Sequence, residues 1–307
     1  MGVVRGLLLG GSQSRWLREH APRFWFVRRT ATRFMPGETA DEALTAARQL
    51  QAHGIGTLLT YLGEDISEAA EAKRVTEHYL SVLDRIRTSG LHTELSVKLT
   101  QLGVDVSSST CYGNLKRIIE RADKASLVWI DMESSRHTDI TLELYRRLRR
   151  AHSNVAVCLQ AYLHRTAQDI AALRPLDPSI RLVKGAYKEP SKIAIPRKKD
   201  IDENYFSLTR ALFRESLGHT DTRIAIATHD PYLIRRVTDL ASTVGLKKDQ
   251  YEFQMLYGIQ RPELVRLVRE GYQARVLIAY GSQWFPWFMR RLAERPANAW
   301  LLLRNLI

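Results

Sequence analysis

Eight short apolar segments rich in β-branched residues recur along the sequence, separated by longer amphipathic stretches. They span residues 56–63, 92–100, 126–133, 154–161, 179–186, 222–230, 251–258 and 273–281. Strands that alternate with helices in this way predict parallel βα units. Because eight units are the number that closes a barrel, we predict an α/β fold of the (βα)8 TIM type. An open doubly wound sheet is the alternative, although no Gly-x-Gly-x-x-Gly turn follows the first segment.

The chain ahead of the first strand predicts a helical arm, residues 1–50, followed by a barrel domain, residues 51–307. The first 35 residues carry seven arginines and one acid, Glu19, which is also typical of an organellar transit peptide. We favour an integral arm, because four bulky aromatic residues suit docking on a folded body. These are Trp16, Phe24, Trp25 and Phe26. Thr39, after a Pro-Gly break, is predicted to be a helix N-cap.

Composition excludes several classes of protein. The 307 residues include no apolar run near the roughly 20 residues that span a bilayer, so no membrane-spanning protein is expected. The two cysteines, Cys111 and Cys158, are too few for a disulfide scaffold and predict reduced thiols in a cytoplasmic protein.

The formal charge of +13 calls for anionic partners. Its basic clusters fall on different predicted helices without interleaved aromatic residues, so we expect no nucleic-acid partner. Short apolar segments with an arginine, residues 3–9 and 300–307, could lie on an anionic inner membrane as a peripheral contact, or could pack on the barrel.

Polar side chains stand near the carboxyl ends of nearly all the predicted strands. In a βα barrel the active site forms at that face, so we predict a functional site there. The residues concerned are Glu64, Lys98, Asp131, Glu133, Gln160, Arg181, Lys184, Tyr187, His229, Asp230 and Gln254.

These residue types favour some chemistries over others. A metal site needs several converging His or carboxylate ligands, and only His229 with Asp230 offers a start, so no metal is expected. A lysine such as Lys98 in an apolar pocket would allow Schiff-base chemistry, which keeps an aldolase or lyase open. After the eighth strand, Arg290 and Arg291 open a final helix at the barrel mouth, where two guanidinium groups suit a carboxylate or phosphate; a plain ion pair with Glu294 is the alternative.

Seven motifs resemble those of the proline dehydrogenases and occur in that family's order over about residues 30–300. They are SVKLTQLG at 96–103, DME at 131–133, LQAY at 159–162, RLVKGAY at 181–187, THD at 228–230, EFQML at 252–256 and RRxxE at 290–294. The chain is similar to the monofunctional bacterial members. The resemblance implies an FAD enzyme that oxidises L-proline to Δ1-pyrroline-5-carboxylate by hydride transfer to flavin N5. It also implies electron transfer to a quinone, in the first step of proline catabolism to glutamate.

The resemblance also implies roles for individual residues at the substrate. Lys98, Arg290 and Arg291 match positions that hold the substrate carboxylate, and Asp131 matches a carboxylate expected to orient Arg290. Three further positions would contact or enclose the substrate: Tyr187 and Leu256 as walls around the ring, and Glu294 on the final helix. Glu64, on the first βα loop, matches an acid that can pair with Arg290 and close the mouth.

For FAD, the family pattern places Arg181 beside the flavin N5. A cation there would stabilise the reduced, anionic flavin. The other positions that match the family's flavin and pyrophosphate contacts are Gln160, Val183, Lys184, Gly185, Ala186, Thr228 and His229.

One position departs from the family. Leu277 stands where the family usually has Tyr, and Ala279 stands at a common Pro. The loss of that Tyr could widen tolerance toward 4-hydroxyproline, or Leu277 could preserve a tight apolar pocket. We expect proline as the substrate and keep hydroxyproline as the alternative, since an apolar pocket discriminates one hydroxyl only modestly.

Overall fold

Eight parallel strands form a closed barrel in which each strand pairs with the next and the last pairs with the first. The computed structural model describes residues 24–63, 66–217 and 222–294, with positions 16, 20 and 21. The strands are β1 Gly56–Tyr61, β2 Thr93–Val97, β3 Val128–Ile130, β4 Val155–Gln160, β5 Ser179–Val183, β6 Ile224–Ala227, β7 Tyr251–Leu256 and β8 Gln273–Tyr280. Each lies within its predicted segment, so the predicted (βα)8 barrel is confirmed.

Helices precede the barrel, connect its strands and follow the last of them. They are α1 Trp25–Ala31, α2 Ala40–Gln51, α3 Ala69–Ser89, α4 Ser108–Arg121, α5 Thr138–Arg149, α6 Thr166–Leu173, α7 Lys198–Ser216, α8 Pro231–Val244, α9 Arg261–Arg269 and α10 Phe285–Glu294. None of the described helices is long and apolar enough to cross a membrane. The two candidate membrane segments, 3–9 and 300–307, lie outside the described residues.

The main hydrophobic core lies between the barrel and its helices. Strand residues such as Leu59 and Val97 pack there with helix residues such as Tyr79 and Leu115, all of them buried. Successive strand side chains alternate in direction, so the intervening positions turn into the barrel interior. Those interior positions carry the site. Cys111 and Cys158 are both buried free thiols, as predicted.

Local signals set where the helices begin. At α2, the Thr39 hydroxyl accepts from the Glu42 amide at 3.3 Å, and the Glu42 carboxylate accepts from the Thr39 amide at 2.9 Å. This capping box confirms Thr39 as the N-cap. At α8, Asp230 caps the helix by accepting from the Tyr232 amide at 3.1 Å. The cap fixes Asp230 at the carboxyl end of β6, beside the site.

The arm helix α1 packs on the final helix α10. Val27 and Ala31, four residues apart, join Phe34 in a second apolar cluster with residues of α10 such as Phe288. Gly258, after β7, has φ +75°, and a Cβ there would stand 1.6 Å from the Arg33 carbonyl oxygen. Only glycine allows so close an approach, so α1 lies across the carboxyl ends of the last strands.

Three of the four aromatic residues predicted to dock the arm do not do so. Trp16, Phe24 and Trp25 are 63%, 51% and 64% exposed, so this prediction was wrong. One face of α1 is buried, with Val27 and Ala31 at helical spacing, and the bulky residues fall outside that face. The fourth, Phe26, has a side chain outside the described residues. The proposed boundary between residues 50 and 51 stays a prediction, and α2 packs in the main core.

Candidate active site

Three of the predicted site residues meet inside the barrel. Lys98 directly follows β2, Asp131 directly follows β3, and Arg181 lies within β5. The Lys98 Nζ lies 3.4 Å from Asp131 Oδ2, and the Arg181 guanidinium forms an ion pair with the other carboxylate oxygen of Asp131. Ser96 joins them, because its hydroxyl lies 2.7 Å from Asp131 Oδ1 and 2.8 Å from Arg181 Nη2. We name Ser96, Lys98, Asp131 and Arg181 the carboxyl-end network.

The charges of this network do not cancel. Lys98 and Arg181 are 6% and 3% exposed and share the single carboxylate of Asp131, which leaves one positive charge in excess. Burial alone would raise the pKa of Asp131, but the charges of Arg181 and Lys98 outweigh it and lower that pKa overall. Burial likewise works against the charged form of Arg181, but Asp131, Cys158 and Glu252 together outweigh it, so that the pKa of Arg181 is raised. A buried excess cation favours an anionic ligand.

Arg181 and Gln254 lie deeper than the sequence predicted. Both were assigned to strand ends, yet Arg181 is the third residue of β5 and Gln254 the fourth of β7. The Arg181 Nη1 donates to Gln254 Oε1 at 3.2 Å inside the barrel. Long side chains at mid-strand therefore extend the site into the interior.

A second ionic network lies at the opposite end of the strands. Arg223 contacts the carboxylates of Glu94 and Glu252, and Arg275 contacts the same two carboxylates at 3.7 and 3.3 Å. We name Glu94, Arg223, Glu252 and Arg275 the amino-end network. Its two cations and two anions balance. None of these four residues was predicted as part of a site.

Gln160 lies at the end of β4, and of its two side-chain polar groups only the nitrogen has hydrogen-bond partners among the described residues. Its Nε2 donates to the carbonyl oxygens of Met132 and Glu133 at 3.2 and 3.1 Å. Its Oε1 is buried and has no hydrogen-bond partner among the described residues. A buried orphan acceptor is costly, so a ligand that donates a hydrogen bond fits here.

The loop after β5 brings backbone close to this position. Gly185 has φ +112°, and a Cβ there would stand 2.2 Å from the Tyr162 ring, so a larger residue is excluded. The neighbouring Lys184 is ion-paired with Asp202 at 2.5 Å and with Asp230 at 3.1 Å. Beside them lie three half-buried residues, Val183, Ala186 and Tyr187.

His229 is locked by the next strand. The Leu256 amide donates to His229 Nε2 at 2.8 Å. Since an amide only donates, Nε2 is the acceptor and the ring proton of the neutral imidazole sits on Nδ1. Thr228, which is buried, accepts from the Asp230 amide at 3.2 Å. The predicted positions 228 and 229 therefore form one ordered turn at the carboxyl end of β6.

The two arginines of the final helix lie against different aromatic rings. The Arg290 guanidinium lies 5.8 Å from the Tyr187 ring centroid, and Arg291 lies at the same distance from Trp287. Glu294 ends α10 with a side chain outside the described residues, and Glu64 lies outside them altogether. Asp131 contacts Lys98 and Arg181, and its expected role in orienting Arg290 stays a prediction.

Comparison with known proteins fits this geometry. The sequence model of the proline dehydrogenase family matches residues 43–302. Proline dehydrogenase 2 of Bacillus subtilis subsp. natto is 39% identical over 299 residues, which cover 97% of this chain and 96% of that protein. The proline dehydrogenase of Deinococcus radiodurans is 35% identical over 283 residues, 90% of each chain. The chain belongs to the proline dehydrogenase family.

A solved structure shares the barrel of this proline dehydrogenase family member. Proline utilization A from Bdellovibrio bacteriovorus, inactivated by N-propargylglycine, superposes with a TM-score of 0.79 at 23% identity. The match covers 87% of this chain and 33% of that one, so the chain spans about a third of the larger protein. At this identity the likeness establishes the fold alone.

Family membership makes the protein an oxidoreductase, and the surroundings of Lys98 agree. A Schiff-base lysine needs a neutral amine in an apolar pocket, whereas the Lys98 amine stands beside the Asp131 carboxylate and the Thr60 hydroxyl. The aldolase or lyase alternative is therefore disfavoured.

In this proline dehydrogenase, Ser96 and Glu252 stand in two of the quoted motifs but were not predicted as site residues. Both lie two residues from a predicted position, Lys98 and Gln254 respectively, on the same strand face. The strand period of two was the signal that could have found them.

Proposed function

We propose that the chain is an FAD-dependent proline dehydrogenase that oxidises L-proline to Δ1-pyrroline-5-carboxylate. Its electrons would pass to a quinone, in the first step of proline catabolism to glutamate. The observation that carries this proposal is the excess positive charge of the buried carboxyl-end network. A buried excess cation suits a small carboxylate substrate, and Arg290 and Arg291 would complete its binding site.

Charged side chains would bind the carboxylate of the substrate, and apolar side chains would pack on its ring. Lys98, Arg290 and Arg291 would hold the carboxylate, and the aromatic ring of Tyr187 would pack on the proline ring. Leu256 and Leu277 are register partners on β7 and β8, which supports a shared apolar wall. Proline offers one carboxylate and one apolar ring, and these side chains match both parts.

The residues at β4 to β6 fit a flavin. The orphan Gln160 Oε1 could accept from a ring N–H, and Gly185 lets the loop after β5 pack closely against the Tyr162 ring beside it. Lys184, Val183, Ala186, Thr228 and His229 would line the same group, and Arg181 would lie by its reactive edge. When bound, the flavin supplies the acceptor for the hydride that leaves the carbon next to nitrogen.

The chain's own groups would bind and orient rather than transfer protons at the carboxyl-end network. Asp131 keeps a lowered pKa and is ionised at neutral pH, so it acts as a fixed counter-charge for Lys98 and Arg181. Its hydrogen bond from Ser96 and the ion pair with Arg181 limit its rotation. The cations are thereby held before substrate arrives.

A membrane quinone as acceptor requires contact with a bilayer surface. The exposed Phe24 and Trp25 lie on or beside α1, next to Arg28 and Arg29, which are exposed too. Aromatic side chains with adjacent cations suit the interface of an anionic membrane. We propose the arm as this peripheral contact, and flotation with vesicles of anionic and of neutral lipid tests it: binding to the neutral vesicles alone, or to neither, would refute it.

The proposed reaction has a direct test. Purified protein, supplied with FAD, should show a flavin absorption spectrum that L-proline bleaches anaerobically and that a soluble quinone restores. D-proline, with its carboxylate on the other face, is the matched control and should bleach it far more slowly. A protein that takes up no FAD, or whose flavin is unaffected by L-proline, would refute the proposal.

A further inference from the structure

Gln254 connects the two ionic networks through the interior of the barrel. Its side chain is 3% exposed and lies in the middle of β7. Its Oε1 accepts from Arg181 Nη1 at 3.2 Å, and its Nε2 donates to Glu252 Oε1 at 2.5 Å. Glu252 is in turn paired with Arg275 at 3.3 Å. One amide thus ties the active-site guanidinium to the balanced network below it.

The two neighbours fix the orientation of this amide. A guanidinium can only donate hydrogen bonds, and a carboxylate that stays ionised can only accept them. Turning the Gln254 amide over would set N–H against N–H at Arg181 and oxygen against oxygen at Glu252. Because the group is buried, no water could relieve either clash. Gln254 is therefore held in one orientation, and its carbonyl oxygen is a fixed point.

Arg181 is held from several directions, and Gln254 supplies the hydrogen bond at Nη1. Asp131 and Ser96 both engage its Nη2, whereas Gln254 is bonded to its Nη1. The Trp129 ring lies 5.2 Å from the guanidinium carbon, and its indole N–H donates to Glu94 at 2.7 Å. Without the Gln254 carbonyl, the guanidinium would lose its hydrogen bond at Nη1 and would be held less firmly in its plane.

We propose that Gln254 is a positioning residue for Arg181, and that it sets how strongly Arg181 stabilises negative charge on the reduced flavin. This inference rests on the proposed function, in which Arg181 lies by the flavin. Electrostatic stabilisation depends on preorganised placement of the charge. A guanidinium that has lost the anchor at Nη1 is less well fixed beside the flavin, so its charge stabilises the reduced form less. Gln254 would then act on the cofactor without touching it.

The test is the flavin midpoint potential of Gln254→Met, which keeps the side-chain length and removes both hydrogen bonds. We expect the ratio of affinities for reduced and oxidised FAD to fall about tenfold, a drop of about 30 mV for a two-electron couple. The affinity of the apoprotein for oxidised FAD, measured by fluorescence quenching, should change much less. A loss of packing alone would lower both affinities equally and leave the potential in place.

Matched variants separate a role through Arg181 from a general disturbance. Gln254→Asn, one methylene shorter, should lower the potential in the same direction by less, and it carries the test if the Met variant does not fold. Gln168→Met, on the exposed face of α6, should leave the potential unchanged. In an Arg181→Met background, Gln254→Met should cause no further drop, because the residue it positions is gone.

Three results would overturn the assignment. Potentials of both Gln254 variants equal to wild type would do so, as would an equal drop in Gln168→Met or an additive drop in the Arg181→Met background. If the wild-type protein takes up no FAD, the proposed function fails and this inference fails with it. If the wild type is reduced by L-proline but the variants keep its potential, the inference alone fails.

Discussion

The two ends of the barrel interior hold ionic networks that differ in charge. At the amino end, each of two arginines contacts each of two glutamates, and the set is neutral. At the carboxyl end, Lys98 and Arg181 share one aspartate and a positive charge is left over. Lys98 and Arg181 are buried, as are Glu94 and Glu252, whereas the side chains of the amino-end arginines are partly exposed, Arg223 at 30% and Arg275 at 17%.

This difference separates a structural role from a binding role. A buried set that is neutral and hydrogen-bonded satisfies itself, and in a βα barrel the amino end is where residues serve stability. A buried set with an excess cation is completed by an anion from outside the set. The same residue types therefore stabilise the fold at the amino end and bind a ligand at the carboxyl end. Substitutions at the amino end should lower stability, and substitutions at the carboxyl end should lower activity.

The largest effect is expected at the amino end. Glu94→Ala removes one of the two carboxylates that both arginines contact, along with the acceptor of the buried Trp129 indole, and should lower the free energy of unfolding by about 3–5 kcal/mol. Urea unfolding measures it, with the exposed Glu120→Ala as the control. The specific activity of the folded fraction should remain near wild type. A stable but inactive Glu94→Ala protein would break the comparison.

At the carboxyl end, Lys98→Met should act on turnover instead. Removing the excess charge should lower kcat/KM for L-proline about 100-fold, the loss expected for a hydrogen bond to a charged group. The free energy of unfolding should change little or rise, since a buried charge disappears. Steady-state kinetics with the exposed Lys116→Met as control tests this. Large destabilisation with near-normal kinetics would mean that the two ends serve the same purpose.

A smaller effect is expected from acid. The pKa of Asp131 is lower in the folded protein than its ordinary value of 3.8, so its contribution to stability is complete above that pH. As pH falls below that value, the unfolded chain binds a proton that the native state resists, and stability declines. Urea unfolding from pH 7 to 3 should show a shallower decline in Asp131→Asn than in wild type. Parallel curves would show that the ionised carboxylate of Asp131 contributes nothing to the stability of the fold.

The smallest effect is expected at the apolar wall. Leu277 packs in a cluster with Leu58 and Trp129, and Leu277→Tyr would add a ring and a hydroxyl there. We expect the preference for L-proline over trans-4-hydroxy-L-proline to rise by about tenfold or less, as for one added group in an apolar pocket. The ratio of the two kcat/KM values measures it. An unchanged ratio would remove Leu277 as a determinant of specificity.

Part of the site could be predicted because each residue occupies a strand end that the pattern identifies. Lys98 and Asp131 directly follow their strands, and the rule that barrel sites form at carboxyl ends selects them. Arg181 was predicted as a site residue but was assigned to the end of β5 instead of its middle. In a short apolar segment, the sequence does not distinguish a mid-strand position from an end position. Gln254 was noticed as a polar residue, yet its partner Arg181 comes from another strand, 73 residues away, and only Glu252 lies near it in the sequence.

The eight alternating segments determined the barrel from sequence alone. Hydrophobic periodicity is a local property, so it can be recognised without knowing which segments contact each other in the fold. The sequence also determined which end would hold the chemistry. Only the tertiary structure decided that Lys98 and Arg181, 83 residues apart, share one carboxylate while four other charges cancel at the opposite end. Charge balance depends on which side chains meet across strands, and that is fixed by register and by the closure of the barrel rather than by any one segment.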